Sequence, residues 1–382
     1  MKIINIVGAR PQFIKYFSVS REIKKFNNTS GLKIRDVLVH TGQHYDYAMS
    51  KIFFEELGIK KPDYHLGAGS GSHGEQIERI VRKAEAVLVK EKPDMVLVYG
   101  DTNSTLGGAL AAAKLHIPIA HIEAGLRSYN KRMAEEVNRV LTDHISAILF
   151  CPSRRACLNL KKEGFENIVN SGRLLALSGR NKNIRLNPDS PVVVNVGDVM
   201  HEALIYSAGM AKKKTAILQK FNLKPRAYYL LTVHRAENTD NPGNFEAIIK
   251  FVNKISAKKT VIFPIHPRAK KAYYKGIKRK FFGNVILIEP VGYFEMLALL
   301  RNSSLLLTDS GGMQKEAYWL GIPCVTLRSE TEWPETLKGG WNVLMKNYKG
   351  FKKPGGRRER FYGDGKASER IAGVLTKLIK NL

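Results

Sequence analysis

The sequence predicts an α/β protein made of two doubly wound domains, each built on a parallel sheet. Short apolar runs rich in β-branched residues alternate with amphipathic stretches of helix length. The alternation starts again near residue 193, and 382 residues exceed what one ordinary core holds. Ligands of such folds bind at the carboxyl ends of the strands, so functional residues are expected where strands end.

Strand-length apolar runs are found in both halves of the chain. In the first half they are residues 3–7, 37–40, 95–99, 117–122 and 147–151. In the second half they are residues 193–196, 229–233, 260–265, 285–288, 305–307 and 324–327. We therefore predict an N-terminal domain over residues 1–192 and a C-terminal domain over residues 193–366. A terminal helix within 367–382 is expected to pack back on the N-terminal domain.

Composition limits the class of protein. Hydrophobic residues make up 44% of the chain, yet no apolar run approaches the roughly 20 residues that span a bilayer. The N-terminal MKIINIVGARP predicts a first strand and not a signal peptide. The three cysteines have no metal-ligand spacing, so buried thiols in a reducing cytoplasm are expected. Residues 170–191 lack periodicity and are interpreted as a surface loop.

The chain is strongly basic, with 62 Lys and Arg against 34 Asp and Glu, a net charge of +28. Such an excess suits nucleic acid, a membrane surface or an acidic ligand. The basic residues are spread along the chain, and no nucleic-acid-binding motif occurs among them. A solvated basic surface is therefore favoured over a specific nucleic-acid partner. A nucleic-acid-binding or scaffold protein stays open as the rival from another class.

Cations follow the first predicted strand. In GARPQFIK, Gly8 permits a tight turn and Pro11 suits the first turn of a helix. Arg10 and Lys15 lie beside this helix start. Two cations at such a position predict a clamp for a diphosphate, although the match to known phosphate loops is loose.

Carboxylates follow two further strands of the first half. Asp101 ends the third strand in YGDTNST, and Glu123 ends the fourth in HIEAGLRS. Glu135 and Glu136 then begin a helix in MAEEVNR. An acid at a helix start is often only a partner of the helix dipole. Three such positions in one half instead favour acid/base chemistry at the mouth of the sheet.

The second half has polar residues at the same kind of position. His234 closes a strand in LTVHRAENTD, and Ser310, Gly311 and Gly312 follow a strand in TDSGGMQKEA. A tight loop explains the glycine pair equally well, and a lone His is more often structural. The alternative is an anion site, in which backbone N–H groups at a helix N-terminus bind a diphosphate. Glu316 would then accept from ribose hydroxyls, and the nucleotide would face the carboxylates of the first domain.

These segments together resemble the non-hydrolysing UDP-N-acetylglucosamine 2-epimerase family over almost the entire chain. The matching segments occur in family order: GARPQFIK, HTGQHYD, GDTNSTL, HIEAGLRS, EEVNRVLTDH, VNVGDVM, TVHRAENTD, PIHPR, EPVGYFEML, TDSGGMQKEA and TEWPE. The resemblance implies two Rossmann-like domains facing across a cleft, the GT-B architecture. It also implies a cytoplasmic homodimer that makes precursors of cell-surface polysaccharide, with a UDP-sugar substrate and no metal, cofactor or membrane contact.

The resemblance assigns roles to individual residues. Nucleotide contacts carry over to Arg10, Lys15, His234, Ser310, Gly311, Gly312 and Glu316. Acid/base roles carry over to Asp101, Glu123 and Glu135, with His234 near the leaving diphosphate. Gln43 and His44 are candidates for an activator site. The implied mechanism removes the C2 proton as UDP leaves C1, and UDP then adds back with a proton delivered to the other face.

Departures from the family pattern leave the sugar open. Trp333 stands where enzymes acting on plain UDP-N-acetylglucosamine often have Arg, and Val291 where they often have Gln. Ala134 replaces a usual Pro, and His201 follows VGDVM in place of an ordinary polar or aromatic residue. The segments GARPQFIK, SHGEQ and TEW are more similar to the branch of the family that acts on UDP-2,3-diacetamido-2,3-dideoxyglucuronate. This sugar nucleotide is therefore the alternative substrate. A glycosyltransferase of the same architecture is the rival among enzymes.

Overall fold

The computed structural model describes residues 1–29, 33–43, 58–177, 190–275, 281, 283–350, 354–355 and 358–379. The chain forms two compact units. One comprises Met1–Ile205 and Arg360–Leu382, and the other comprises Tyr206–Glu359. Each unit contains a parallel sheet with helices between most successive strands, so the predicted class of two doubly wound α/β domains is confirmed.

The first unit is built on seven parallel strands in the order β3-β2-β1-β4-β5-β6-β7. They are β1 (Lys2–Val7), β2 (Arg35–His40), β3 (Tyr64–His65), β4 (Met95–Tyr99), β5 (Ile119–Ile122), β6 (Ile148–Cys151) and β7 (Val192–Asn195). Five of its helices are α1 (Arg10–Thr29), α2 (His73–Glu91), α3 (Asn103–Lys114), α4 (Ala134–His144) and α5 (Arg154–Lys162). A short 3-10 turn, Val169–Gly172, precedes β7.

The first unit extends beyond the predicted boundary at residue 192. Strand β7 pairs in parallel with β6 and closes this sheet, so it does not open the second domain. The unit continues to Ile205. It also takes up the terminal helix, labelled α13 (Ala367–Ile379). This helix packs on α1, where its Ile371 and Leu375 join the same buried cluster as Val19. Burial of its apolar face explains why the chain returns to the first unit.

The second unit is built on six parallel strands in the order β10-β9-β8-β11-β12-β13. They are β8 (Tyr229–Thr232), β9 (Val261–Pro264), β10 (Val285–Ile288), β11 (Leu305–Thr308), β12 (Cys324–Thr326) and β13 (Asn342–Leu344). Its helices are α7 (Ile217–Lys220), α8 (Ala236–Thr239), α9 (Pro242–Ser256), α10 (Pro267–Lys275), α11 (Tyr293–Asn302) and α12 (Gly311–Leu320). Helix α6 (Val199–Lys214) runs along the chain from the first unit into the second.

Strand order reverses once in each sheet, and these reversals mark the expected ligand positions. In the first sheet the reversal lies between β1 and β4, whose loops contain Gly8 and Asp101. In the second sheet it lies between β8 and β11, whose loops contain His234 and Ser310. Of the predicted site residues, Asp101, His234 and Ser310 thus lie at the two topological switch points. Within the described residues, no helix combines the length and apolarity needed to cross a bilayer.

Candidate active site

A buried ion pair joins α1 to the end of β5. Nζ of Lys15 contacts Oε2 of Glu123, and the two side chains are only 6% and 11% exposed. Glu123 has φ +78°, a left-handed conformation that is rare outside glycine and that its surroundings must maintain. Gly100, at the end of β4, lies against the pair: a Cβ there would be 3.2 Å from Nζ of Lys15. Two predicted site residues are therefore brought together.

A second ion pair fixes Asp101. Its carboxylate contacts Arg139 of α4, and the same guanidinium contacts Glu136. Burial by itself lowers the pKa of Arg139, but the two carboxylates raise it above its usual value. The side chain of Asp101 is one-third exposed. Asp101 is thus held in place from the protein side and remains accessible to a ligand.

The two acids at the start of α4 have different environments. Glu136 is buried and accepts from the backbone N–H groups of Ser128 and Tyr129 at 2.9 and 2.8 Å. Burial alone raises the pKa of Glu136, but these bonds and the charge of Arg139 lower it. Glu135 is exposed in the first turn of the same helix. Glu136 therefore anchors the loop after Glu123, and Glu135 is the more accessible acid.

Gln12, which the sequence did not single out, organises the start of α1. Its Oε1 accepts from the N–H groups of Gly8 and Ala9 at 2.7 and 3.0 Å. Its Nε2 donates to the carbonyl of Tyr99 at 2.7 Å. The side chain joins the loops after β1 and β4 at the switch point. Arg10 begins α1, but its side chain lies outside the described residues.

The candidate activator residues are only partly described. Oε1 of Gln43 accepts from the backbone N–H and from Oγ of Ser104, at 2.9 and 2.6 Å. This contact places the Gln43 side chain against the first turn of α3. His44 lies outside the described residues.

In the second unit, a buried carboxylate holds His234. Asp309 lies 3.2 Å from Nδ1 of His234 and accepts from the backbone N–H groups of His234 and Arg235. Asn238 donates to it as well, at 3.0 Å. Burial alone raises the pKa of Asp309, but His234 and these hydrogen bonds lower it. The His234 side chain remains 43% exposed. An imidazole fixed by a carboxylate through one nitrogen suits a binding or proton-transfer role for the other.

The two glycines after β11 have different reasons to be glycine. Ser310 caps α12 and accepts from the N–H of Met313. A Cβ at Gly311 would overlap the carboxylate of Glu332, so packing explains this glycine. A Cβ at Gly312 would meet only Oγ of Ser310, at 4.0 Å, and this residue is exposed. Gly312 therefore leaves the helix N-terminus accessible, as an anion site requires.

Two arginines that the sequence did not mark as site residues lie beside this helix start. Glu332 accepts from Arg235 at 3.0 Å and from Arg328 at 2.7 Å. Burial alone raises the pKa of Glu332, and the two guanidinium groups lower it. Arg328 also contacts Glu237 at 2.8 Å. Arg235 lies within the family segment TVHRAENTD, and Arg328 lies three residues before the family segment TEWPE. Only the folded chain brings the two arginines together.

Comparison with known proteins identifies the family. The family model described as UDP-N-acetylglucosamine 2-epimerase matches residues 24–376. The chain belongs to this family. A UDP-N-acetylglucosamine 2-epimerase homolog of Methanococcus maripaludis is 48% identical, covering 99% of this chain and 100% of its own. The UDP-2,3-diacetamido-2,3-dideoxy-D-glucuronate 2-epimerase of Pseudomonas aeruginosa is 46% identical, again covering 99% and 100%.

A solved epimerase has the same fold. The crystal structure of the Methanocaldococcus jannaschii UDP-GlcNAc 2-epimerase, in complex with UDP-GlcNAc and UDP, matches with a TM-score of 0.82. Its sequence is 40% identical, and the match covers 98% of this chain and 99% of that one. This protein is thus similar both to an enzyme named for the plain sugar and to one named for the diacetamido sugar acid.

One departure from the epimerase pattern has a packing explanation. Nζ of the buried Lys315 lies 3.8 Å from the ring centroid of Trp333, a cation–π contact. An arginine at position 333 would bring a second cation against Lys315. Trp333 therefore fits its neighbour whatever the sugar. Next to Lys315, Glu316 is buried and accepts from the hydroxyl of Tyr293 at 3.3 Å.

Proposed function

We propose that this protein is a non-hydrolysing UDP-N-acetylglucosamine 2-epimerase that interconverts UDP-GlcNAc and UDP-ManNAc. The observation that carries the proposal is the arrangement at the first switch point and at the adjoining end of β5. There, Asp101 and Glu123 follow neighbouring strands and each carboxylate is held by a cation. Family membership and the UDP-GlcNAc complex of the solved relative support the same activity.

The proposed reaction is an elimination followed by an addition. A carboxylate takes the proton from C2 while the C1–O bond to UDP breaks, leaving a double bond between C1 and C2. UDP then adds back at C1, and a proton is delivered to C2 on the other face. We assign the acid/base steps to Asp101, Glu123 and Glu135. The C2 proton is weakly acidic, so its removal depends on stabilising the departing diphosphate at the same time.

The nucleotide half of the proposal rests on the second unit. The N-terminus of α12, at Ser310, Gly311 and Gly312, provides N–H groups and a positive dipole end for a diphosphate. His234, held by Asp309, is assigned to the leaving diphosphate, and Glu316 to the ribose hydroxyls. Arg10 and Lys15 are assigned to the phosphate charge from the first unit.

Exchange at C2 tests the activity directly. The protein is incubated in D₂O with UDP-GlcNAc and no acceptor, and the C2 position is followed by NMR. Deuterium at C2 and the appearance of UDP-ManNAc are expected. A folded protein that binds UDP without any exchange at C2 of either candidate sugar would instead favour a glycosyltransferase.

A second candidate substrate is UDP-2,3-diacetamido-2,3-dideoxyglucuronate. The similarity to the Pseudomonas aeruginosa enzyme and the residue Val291 favour it. Trp333 no longer counts strongly for it, because Lys315 accounts for the aromatic ring. Measuring kcat/KM for both UDP-sugars decides between them, and a clear advantage for the diacetamido substrate would replace the first assignment.

We further propose a homodimer in the cytoplasm that supplies precursors for cell-surface polysaccharide, without a specific nucleic-acid partner. The free, buried thiols of Cys151, Cys157 and Cys324 are compatible with a reducing compartment. Light scattering on the purified protein tests the dimer, and twice the chain mass is expected. A steep dependence of DNA affinity on salt would speak for the nucleic-acid alternative.

A further inference from the structure

His121 lies at the centre of a buried network beneath the proposed acid/base residues. It belongs to β5, two residues before Glu123, and its side chain is fully buried. Nδ1 lies 2.7 Å from Oδ1 of Asp143, and Nε2 lies 2.7 Å from the carbonyl oxygen of Gly100. A carbonyl oxygen only accepts hydrogen bonds, and so does an ionised carboxylate. Both ring nitrogens must then donate, which requires an imidazolium.

The charges around His121 favour this protonation state. Arg127 donates to Oδ2 of Asp143 at 2.7 Å and to both carboxylate oxygens of Glu163. Burial alone raises the pKa of Asp143, but its contacts with His121 and Arg127 lower it. His144, which is half exposed, lies 3.6 Å from Glu163 at the rim. The two carboxylates of Asp143 and Glu163 face the single guanidinium of Arg127. A positive charge on His121 makes the net charge of this network zero.

The network connects the segments that carry the proposed acid/base residues. The carbonyl accepted by His121 belongs to Gly100, directly before Asp101. Oδ2 of Asp143 accepts from the N–H of Gly125, two residues after Glu123, at 3.0 Å. Asp143 itself lies on α4, which also carries Glu135. One cluster of side chains thus joins the loop after β4, the loop after β5 and α4.

We infer that His121 is an imidazolium that, held by Asp143, acts as the positioning residue for Asp101 and Glu123. This inference rests on the proposed epimerase function. Removing the bond to Gly100 leaves a buried carbonyl without its donor and frees the turn that carries Asp101. Because misplacement of a reacting group by about 1 Å can cost about 100-fold in rate, kcat should fall by about that factor. UDP affinity should stay unchanged, since the network includes none of the residues assigned to UDP.

Two substitutions separate the two hydrogen bonds. In His121→Gln the side-chain amide reaches about as far as Nε2 and keeps a donor for Gly100. In His121→Asn the amide corresponds to Nδ1 and keeps a donor for Asp143 only. The Gln variant should retain more kcat than the Asn variant, even where their melting temperatures are similar. Thr142→Val is the control: Oγ1 of this neighbouring buried residue has no hydrogen-bond partner within the described residues, so kcat should not change.

The protonation state is measured without substrate. ¹⁵N NMR of histidine-labelled protein should show both His121 nitrogens protonated, as the hydrogen bonds to Asp143 and Gly100 require. The His121→Gln spectrum assigns this signal among the ten histidines. An unprotonated nitrogen, or a folded Asn variant with wild-type kcat, overturns the inference. A wild-type protein inactive on both sugars overturns the proposed function instead, while the NMR result still decides the protonation state.

Discussion

At the scale of single residues, Glu123 is both a proposed catalytic group and half of a buried ion pair with Lys15. Glu123→Gln removes the charge and leaves Lys15 buried without its counterion. Losing one member of a buried pair typically costs about 3–5 kcal/mol, whereas removing both members costs far less. We therefore expect Glu123→Gln to lower the free energy of unfolding by about 3 kcal/mol, and Lys15→Met/Glu123→Gln to recover most of it. Urea unfolding measures both, and neither variant should epimerise.

Glu135→Gln is the matched control for this pair. Its side chain is exposed, so the free energy of unfolding should change by less than about 0.5 kcal/mol. Its kcat should nevertheless fall, with UDP affinity unchanged, because the group acts in the transition state. A Glu123→Gln variant as stable as the wild type would contradict the buried pair. Unchanged kcat in Glu135→Gln would remove that residue from the mechanism.

The ring of Trp333 packs against the buried Lys315. Trp333→Arg places a cation against the buried Lys315 and removes a cation–π contact worth about 2 kcal/mol when desolvated. The free energy of unfolding should fall by at least that amount. Lys315→Glu/Trp333→Arg should recover part of the loss, because the new pair has opposite charges. Thermal unfolding and kcat/KM for both UDP-sugars are measured together. A stable Trp333→Arg variant with altered sugar preference would instead make Trp333 a specificity residue.

Single residues also show where the sequence stops being informative. Lys15 and Glu123 were each predicted from their place next to a strand, but they are separated by 108 residues. Nothing local in the sequence pairs them. The same holds for His121 and Asp143, whose contact depends on how β5 and α4 pack. Positions at strand ends are encoded locally, whereas ion pairs depend on tertiary packing.

At the scale of elements, the first turn of α12 provides a matched pair of glycines, Gly311 and Gly312. Gly311→Ala should push Glu332 away from Arg235 and Arg328, because the new Cβ overlaps its carboxylate. Disturbing this buried network should lower the free energy of unfolding by about 2 kcal/mol or more. Gly312→Ala has open space, so its stability should stay near that of the wild type.

Ligand binding then distinguishes a turn from an anion site. If backbone N–H groups here bind the diphosphate, Gly312→Ala should weaken UDP by about tenfold at nearly unchanged stability. Isothermal titration with UDP measures this, with uridine, which lacks phosphates, as the ligand control. Wild-type UDP affinity in a folded Gly312→Ala protein would return the glycine pair to a purely structural role.

Elements differ in how well their sequence predicts them. Strand β10 was predicted with the bounds that the structure has, Val285–Ile288, and the terminal helix Ala367–Ile379 lies within the predicted range 367–382. Each has a clear apolar pattern, with strand period in the first and helix period in the second. Two strands were not predicted because each is very short: β3 has two residues and β13 has three. Strand β7 was recognised as a strand but assigned to the wrong sheet, since an apolar run does not state its partner.

At the scale of the whole molecule, the net charge of +28 and the buried carboxylates act on stability in the same direction under acid conditions. Protonating acids raises the positive charge further and increases self-repulsion of the compact state. Several acids also have a lowered pKa in the folded protein: Glu136, Asp143, Asp309 and Glu332. Glu202, whose burial raises its pKa, contributes with the opposite sign. Because four of these five carboxyl groups have a lowered pKa, their combined effect is to destabilise the folded protein in acid.

These shifts predict how stability depends on pH. A carboxylate whose folded pKa is lowered contributes stability above its unfolded pKa of about 4, and this contribution is lost as pH falls through the folded value. The free energy of unfolding should therefore change little from about pH 7 to pH 5 and fall steeply below about pH 4. Urea unfolding at about 0.5 M NaCl, which screens surface charge, measures this dependence.

Asp309→Asn should reduce the slope by up to about 1.4 kcal/mol per pH unit, since one less proton is taken up on unfolding. Glu135→Gln, at an exposed position, should leave the slope unchanged. Equal slopes for wild type and Asp309→Asn would show that Asp309 is not one of the carboxylates whose protonation destabilises the fold.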